Sequence, residues 1–248
     1  MFLRTRPSKK EKVLHQLQNA DVPFTLPNAE CIQLSNQTKV DELLSIDEDV
    51  IIQDYNSQRT LDLFKSFKLQ TSNSKLSVWD CCAASGGKSI LFHDYFPQAH
   101  LTVSDVRESI LINLQKRLKR AGIKNYDYFV ADISSPRFSL KNKFDLVICD
   151  APCSGSGTWS RTPEQLYFFK EEKIMAYGNL QKKILSRVIP SIRANGFLLY
   201  ITCSVFAEEN ERISEYIIEQ HSLKLIRSEL IRGYNEKADT LYAALFTN

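Results

Sequence analysis

Apolar runs alternate with helically spaced segments over most of the chain beyond residue 75. The predicted strands are Leu76–Cys81, His100–Ser104, Asp127–Val130, Phe144–Cys149 and Phe197–Ile201. The predicted helices are Gly87–Tyr95, Glu108–Ala121 and Glu208–Glu219, with a loop and helical region over Thr162–Arg193. Such alternation predicts an α/β fold, in which a mostly parallel sheet carries helices on both faces.

Two late apolar runs, Leu223–Arg227 and Leu241–Phe246, are joined by Gly233 and a polar stretch with no helical crossover. Strands joined without a crossover pair antiparallel, so these runs predict a hairpin at one edge. The predicted sheet therefore has seven strands.

The first 55 residues predict a small α+β appendage, and residues 56–248 the main domain. A helix is predicted over Lys10–Ala20 and is broken by Pro23 and Pro27. Short strands follow at Cys31–Leu34 and Val50–Ile52, and a helix over Ser57–Phe67 leads into the main domain.

Composition narrows the class of protein. The chain has 248 residues, of which 43% are hydrophobic, so it can bury a full hydrophobic core. Its net charge of +3 is compatible with nucleic-acid binding but too small to predict it. Six cysteines show neither a C-x-x-C pair nor a zinc-like spacing, so no metal site is predicted and a reducing, cytoplasmic compartment is expected. No membrane span or signal peptide is predicted, and a monomer is expected.

Two cysteines follow neighbouring predicted strands. Cys153 lies in the segment Asp150–Gly157, and Cys203 lies between Thr202 and Ser204. In a parallel sheet both would lie at the carboxyl edge, where ligands bind. A lone free cysteine is usually a core residue. Two at one ligand edge, beside Asp150, instead indicate covalent chemistry on an electrophilic carbon.

A glycine pair opens the helix after the first strand of the main domain. The loop consists of Cys82, Ala83, Ala84, Ser85, Gly86, Gly87 and Lys88. The free backbone amides of this loop favour binding of an anionic group. The loop matches neither the Walker A motif nor the glycine pattern of dinucleotide-binding proteins. Asp105 ends the next strand, where it can accept ribose hydroxyls, and Asp132 follows the third, where it can accept an adenine amine. These residues indicate an adenosine ligand that has no pyrophosphate, and S-adenosylmethionine is such a ligand.

A methyl acceptor that needs an enzymic thiol is most naturally the C5 atom of a pyrimidine. C5 of cytosine is a poor nucleophile until a thiolate adds at C6. An acid that hydrogen-bonds N3 and N4 stabilises the charge that develops on addition, and Asp150 is the candidate.

These residues resemble the RNA cytosine-C5 methyltransferases of the Sun/Fmu type, close to the bacterial ribosomal-RNA members. The resemblance runs from about Gln33 to the end, through Ile52–Asp54, Cys82–Lys88, Asp105, Asp132, Asp150–Gly157, Thr202–Ser204 and Glu208–Asn210. It implies a Rossmann-like S-adenosylmethionine-dependent fold and an RNA-recognition-like appendage at residues 1–55. It also implies that Cys203 is the nucleophile and Cys153 assists release. The cofactor would lie on Cys82–Lys88, Asp105, Asp132 and Asp150.

The chain departs from the family pattern in two places. Ser85 stands where the family usually has proline, which loosens the loop. The chain begins almost directly on a predicted strand, without the upstream helical RNA-binding domain of many bacterial members, so reduced RNA affinity is expected.

The resemblance implies an RNA partner, with ribosomal RNA favoured over transfer RNA. The candidate RNA contacts are a basic start (Arg4, Arg6, Lys9, Lys10 and Lys12), the basic stretch Lys116–Arg120, and Arg161 beside the Cys153 loop. A solvated face explains the stretch Lys116–Arg120 equally well. The target base must be single-stranded or flipped out to reach a thiol.

Two alternatives remain open. A DNA cytosine-C5 methyltransferase would use the cysteine after proline, Cys153, as its nucleophile, and the Thr202–Cys203 motif argues against it. The second alternative is a catalytically weak RNA-binding ribosome-assembly factor. Such a factor would not need Cys153, Asp150 and Cys203, so the presence of all three argues against it.

Overall fold

The computed structural model describes residues 1–65 and 76–248, which form two β-sheets. The small sheet has the order β2-β1-β3 and the large sheet the order β6-β5-β4-β7-β8-β10-β9. The strands are β1 (Phe2–Thr5), β2 (Cys31–Gln33), β3 (Val50–Ile52), β4 (Ser77–Asp80), β5 (His100–Asp105), β6 (Tyr126–Val130), β7 (Phe144–Asp150), β8 (Ile192–Thr202), β9 (Lys224–Ile231) and β10 (Leu241–Thr247). The helices are α1 (Lys10–Asn19), α2 (Val40–Leu43), α3 (Tyr55–Arg59), α4 (Asp62–Lys65), α5 (Gly87–Tyr95), α6 (Glu108–Arg120), α7 (Pro163–Tyr167), α8 (Glu172–Val188) and α9 (Glu211–His221).

The large sheet confirms the predicted α/β fold. Strands β4 to β8 pair in parallel, and β10 pairs antiparallel with both β8 and β9. The last two strands therefore form the predicted hairpin at one edge. Because β4, β5, β7 and β8 run in the same direction, the loops after them open at one side of the sheet.

Strand residues alternate between two apolar layers, as the period of a β-strand requires. Val78 and Leu146 face a layer that includes Leu114 of α6. Trp79 and Val147 face the opposite layer, which includes Leu185 of α8. Both faces of the central strands β4 and β7 are thus buried, and the loops after these strands extend from a packed core.

Several boundaries differ from those predicted. Strand β8 begins at Ile192 rather than Phe197, so the segment before it is shorter. The helix predicted over Glu208–Glu219 opens as a 3-10 turn at Ala207–Glu209, and α9 follows from Glu211. In place of one helix over Ser57–Phe67 there are α3 and α4; residues 66 and 67 lie outside the described residues.

The basic start of the chain holds the two sheets together. The Arg4 side chain is 2% exposed and donates to Asp94 of α5 at 2.5 Å, and Arg6 donates to the same carboxylate at 2.6 Å. A buried, paired guanidinium cannot contact phosphate, so the expectation that Arg4 guides RNA is wrong. Arg6 is partly exposed, and its role in guiding RNA stays a prediction.

Four of the other predicted cations are paired with acids in the loop before β3. Lys9 and Lys12 contact the buried carboxylate of Asp49. Arg117 and Arg120 of α6 contact the buried carboxylate of Asp47. The stretch Lys116–Arg120 therefore contributes two of its cations to an internal interface.

Helices long and apolar enough to cross a bilayer do not occur among the described residues.

Candidate active site

The loop between β4 and α5 makes a tight turn that only glycine can complete. Gly86 has a φ of +83°, in the left-handed region, and a Cβ there would lie 2.9 Å from Cγ of Leu114. The backbone amide of Ala84 points away from the turn and donates to Asp105 at 3.0 Å. The loop is thereby fixed to the end of the neighbouring strand, β5.

Asp105 is buried, and its carboxylate accepts hydrogen bonds from neighbouring residues. The Arg107 side chain donates to both of its carboxylate oxygens, at 2.9 and 3.1 Å. Burial by itself would raise the pKa of Asp105, but the hydrogen bonds from Arg107 and Ala84 together lower it below the usual value. Asp105 is therefore a permanent anion at the end of β5, suited to accept hydroxyl donors.

A cavity of about 190 Å³ opens above this loop. Seven of the predicted cofactor residues line it: Cys82, Ala83, Ala84, Ser85, Gly87, Lys88 and Asp150. Five further lining residues were not predicted to bind the cofactor: Ile52, Gln53, Ser57, Asp80 and Arg117. Asp80 is the last residue of β4, as Asp105 is the last residue of the neighbouring strand β5, and this shared position is the signal that could have identified it.

Asp80 is the buried acid at the base of this cavity. Its Oδ2 accepts from the Ser89 hydroxyl at 2.6 Å, whereas its Oδ1 has no protein partner. Burial raises the pKa of Asp80 to about 7. An unpartnered buried oxygen facing a cavity is suited to receive a polar or cationic ligand group, because leaving it unpaired is costly.

An ion pair crosses the cavity between the cofactor loop and β7. Nζ of Lys88 lies 2.6 Å from Oδ2 of Asp150. Burial acts to lower the pKa of Lys88, but the negative charge of Asp150 raises it above its ordinary value. Lys88 is therefore a fixed cation that holds the Asp150 carboxylate toward the two cysteines.

The cysteine pair lies next to this ion pair. Cys153 follows β7 and Cys203 follows β8, and their Sγ atoms are 3.3 Å apart. The adjoining Gly157 touches both Cys203 and the β10 side of the site: its amide donates to the Cys203 carbonyl, and its carbonyl accepts from Thr240. A Cβ at Gly157 would lie 1.9 Å from the Thr240 oxygen, so only glycine permits this approach.

The two thiols differ in acidity. A hydrogen bond from Cys153 lowers the pKa of Cys203, and the charge of Lys88 acts in the same direction, against burial. The same hydrogen bond and burial raise the pKa of Cys153 well above its ordinary value. Cys203 is thus the more acidic thiol of the pair, and the thiolate is the nucleophilic form.

Polar residues beyond the cysteines fix both loops. Glu209 is fully buried and accepts from the amide and hydroxyl of Ser154, at 2.9 and 2.7 Å. The Asn210 amide donates to the Ser204 carbonyl at 2.9 Å, and its oxygen accepts from Thr202. The Glu208–Asn210 segment of the resemblance therefore positions Ser154 next to Cys153 and both neighbours of Cys203.

Three of the predicted cofactor residues, Gly86, Asp105 and Asp132, are not among those that line the first cavity. Asp132 is exposed and accepts from the amide and hydroxyl of Ser134, at 3.0 and 2.6 Å. Arg161 forms a two-point ion pair with Asp239 rather than presenting a free guanidinium. A cofactor role for Asp132 and a phosphate role for Arg161 remain predictions.

A second cavity, of about 390 Å³, opens on the other side of Cys153. It is lined by Cys153, Ser154, Gly155, Glu164, Gln165, Phe168, Phe169, Lys173 and Tyr177. At its rim Tyr167 and Phe168 are 82% and 68% exposed, with their rings edge to face. Sequence analysis did not single out this aromatic rim.

A family model supplies the decisive comparison. The model for the 16S rRNA methyltransferase RsmB/F family matches residues 66–243. The chain belongs to this family. One relative is the ribosomal RNA small subunit methyltransferase B of Pasteurella multocida, which is 29% identical to this chain. The alignment covers 91% of this chain and 51% of the relative. The chain thus spans about half the length of this curated relative.

Solved structures agree on the fold. A methyltransferase homologue from Pyrococcus horikoshii superimposes with a TM-score of 0.76 at 19% identity, over 100% of this chain and 86% of its own. NSun6 from Pyrococcus horikoshii, solved with SFG, gives a TM-score of 0.72 at 20% identity, over 89% of this chain and 60% of its own. The fold is therefore the Rossmann-like fold of these methyltransferases, as the sequence predicted.

Proposed function

We propose that this protein transfers a methyl group from S-adenosylmethionine to C5 of cytosine in RNA, through a covalent bond between Cys203 and C6 of the base. The observation that carries the proposal is the cysteine pair, in which Sγ of Cys203, the more acidic thiol, lies 3.3 Å from Sγ of Cys153. Membership of the RsmB/F family supports it.

The residues around the first cavity fit S-adenosylmethionine. This ligand carries a sulfonium cation, an amino group, a carboxylate and two ribose hydroxyls. Asp80, with its unpartnered oxygen, suits a cationic group, and Asp105 suits the ribose hydroxyls. The free amides at the start of α5 suit the carboxylate. When bound, the cofactor supplies an electrophilic methyl group.

The protein's own residues account for the remaining steps. The Cys203 thiolate attacks C6 of cytosine, and the electron pair displaced from the C5–C6 bond makes C5 nucleophilic. Asp150, held by Lys88, can accept a hydrogen bond from the N4 amine and fix the ring. After C5 has been methylated, loss of its proton returns an electron pair that breaks the C6–S bond and restores the Cys203 thiolate.

Cys153 is positioned to assist this release. Its sulfur lies next to that of Cys203, so it reaches the same side of the ring. Once it has given its own proton to solvent, it can take the proton from C5 as the C6–S bond breaks. This assignment follows the family resemblance and is compatible with the higher pKa of Cys153.

We further propose that the substrate is ribosomal RNA. The name of the Pasteurella multocida relative supports this choice over transfer RNA. A monomer that acts in the cytoplasm remains an expectation.

The direct test is transfer of tritium from labelled S-adenosylmethionine to RNA and, in parallel, to DNA of the same sequence. The proposal expects label in RNA, at C5 of cytosine. Label in DNA alone would favour the DNA-methyltransferase alternative. Tight RNA binding with no transfer to ribosomal or transfer RNA would favour the assembly-factor alternative.

A further inference from the structure

Three cysteines outside the catalytic pair converge at the ends of two neighbouring strands. Cys81 and Cys82 follow β4, and Cys149 is the penultimate residue of β7. These strands pair in parallel, and the Cys81 amide donates to the Ile148 carbonyl at 2.9 Å. As a result the three Sγ atoms all lie within 4.8 Å of one another.

The burial of the cluster differs from one thiol to the next. Cys81 and Cys149 are buried, whereas Cys82 is partly exposed and lines the first cavity. A small ion can therefore reach the cluster through the cavity, and two of its three ligands would be shielded from solvent once it was bound.

The spacing of the sulfurs suits a three-coordinate ion. An ion with metal–sulfur bonds of about 2.3 Å, at the centre of a trigonal plane, holds its sulfurs about 4 Å apart. The described residues bring three thiols together at this point, and the group contains no imidazole or carboxylate. Structural zinc sites have four ligands, whereas soft thiolate sets favour Cu(I).

We propose that Cys81, Cys82 and Cys149 form a binding site for one soft, thiol-seeking cation of the Cu(I) class, held by three sulfur ligands. Binding displaces the thiol protons to solvent and changes no oxidation state. The site is separate from the Cys153–Cys203 pair and does not depend on the proposed methyl transfer.

The test must first remove the catalytic pair, because its two thiols could also bind Cu(I). In the full chain carrying Cys153→Ser and Cys203→Ser, four of the six cysteines remain. This protein is titrated anaerobically with Cu(I) against a chromogenic Cu(I) chelator, and the metal content is counted by native mass spectrometry. One Cu(I) per chain is expected.

Matched variants locate the ion. Adding Cys149→Ser should weaken binding by more than the roughly 10–100-fold that follows loss of an outer-shell partner. Adding Cys31→Ser, a buried thiol of the small sheet, should leave the affinity unchanged. Circular dichroism reports whether each variant is folded, and Cys82→Ser, at the partly exposed position, replaces Cys149→Ser if that variant does not fold.

Three results would overturn the proposal. The first is that the protein fails to retain Cu(I) against the chelator. The second is that a folded Cys149→Ser or Cys82→Ser variant retains Cu(I) fully. The third is that the protein binds Zn²⁺ at least as tightly as Cu(I).

Discussion

The sulfur atoms of Cys153 and Cys203 lie 3.3 Å apart although 50 positions separate them in the chain. They meet because β7 and β8 are parallel neighbours, paired at Asp150 and Ile201 just before each cysteine loop. The charge of Lys88 acts on Cys203 and favours its thiolate. The pair is thus asymmetric before any substrate binds.

This asymmetry predicts different results for the two alanine variants. Cys203→Ala should abolish methyl transfer and form no covalent complex with RNA, because the attacking sulfur is missing. Cys153→Ala should still attack and methylate but release slowly, so a protein–RNA complex should survive denaturing gel electrophoresis. Cys31→Ser is the control and should behave as wild type. Trapping in Cys203→Ala and none in Cys153→Ala would exchange the two roles.

Asp105 is expected to contribute strongly to cofactor affinity. Asp105→Ala removes a charged acceptor for the ribose hydroxyls, worth about 1.5–3 kcal/mol, or roughly a 10- to 150-fold loss of affinity. Calorimetric titration with S-adenosylmethionine measures the effect, with the exposed Asp127→Ala on β6 as the control. Equal affinities in the two variants would remove Asp105 from the site.

The raised pKa of Asp80 predicts a pH-dependent stability. Between about pH 4 and 7 the native state holds a proton that the unfolded chain has released, so stability falls as pH rises through this window. The full difference corresponds to about 4 kcal/mol. Asp80→Asn cannot titrate, so its free energy of unfolding relative to wild type should increase from pH 4 to pH 8.

Urea denaturation across this pH range is the measurement. The exposed Asp41→Asn on α2 serves as the control and should follow the wild-type profile. Parallel profiles for wild type and Asp80→Asn would show that Asp80 is ionised in the native protein at pH 4 to 7.

Asp94 should matter for stability far more than a surface acid. Asp94→Ala leaves the buried guanidinium of Arg4 unpaired, and loss of one partner of a buried ion pair costs about 3–5 kcal/mol. Glu215→Ala breaks the exposed pair with Arg212 and should cost at most about 1 kcal/mol. Similar denaturation midpoints for the two variants would contradict a buried linkage between the sheets.

The exposed aromatic rim beside Cys153 predicts stacking with unpaired bases next to the target. Tyr167→Ala and Phe168→Ala should each weaken binding of single-stranded RNA by about 1–3 kcal/mol. Tyr234→Ala, at a residue that is 67% exposed on the 3-10 turn Tyr234–Glu236, is the control. Fluorescence anisotropy with a labelled oligonucleotide measures the affinities, and equal losses in all three variants would mean that the rim has no special role.

The order of strands and helices in the large domain followed from the sequence, because periodicity records which side of each element is buried. Helix α5 begins and ends where Gly87–Tyr95 predicted, and the late hairpin was recognised from its missing crossover. Boundaries were less accurate where local geometry interrupts the pattern. Asn210, whose side chain bonds to Thr202 and Ser204, separates the 3-10 turn from α9, and composition does not reveal such a break.

The sequence by itself determined the chemistry available at the ligand edge, since parallel strands bring Cys153 and Cys203 to the same side. Only the tertiary structure decided which charges are free. In the sequence Arg4 and Arg6 suggest a basic surface, but both are paired with Asp94 and Arg4 is buried. Sequence spacing does not reveal this pairing, because the partner lies some 90 residues away. The convergence of Cys81, Cys82 and Cys149 was also invisible, because strand pairing rather than sequence spacing brings their sulfurs together.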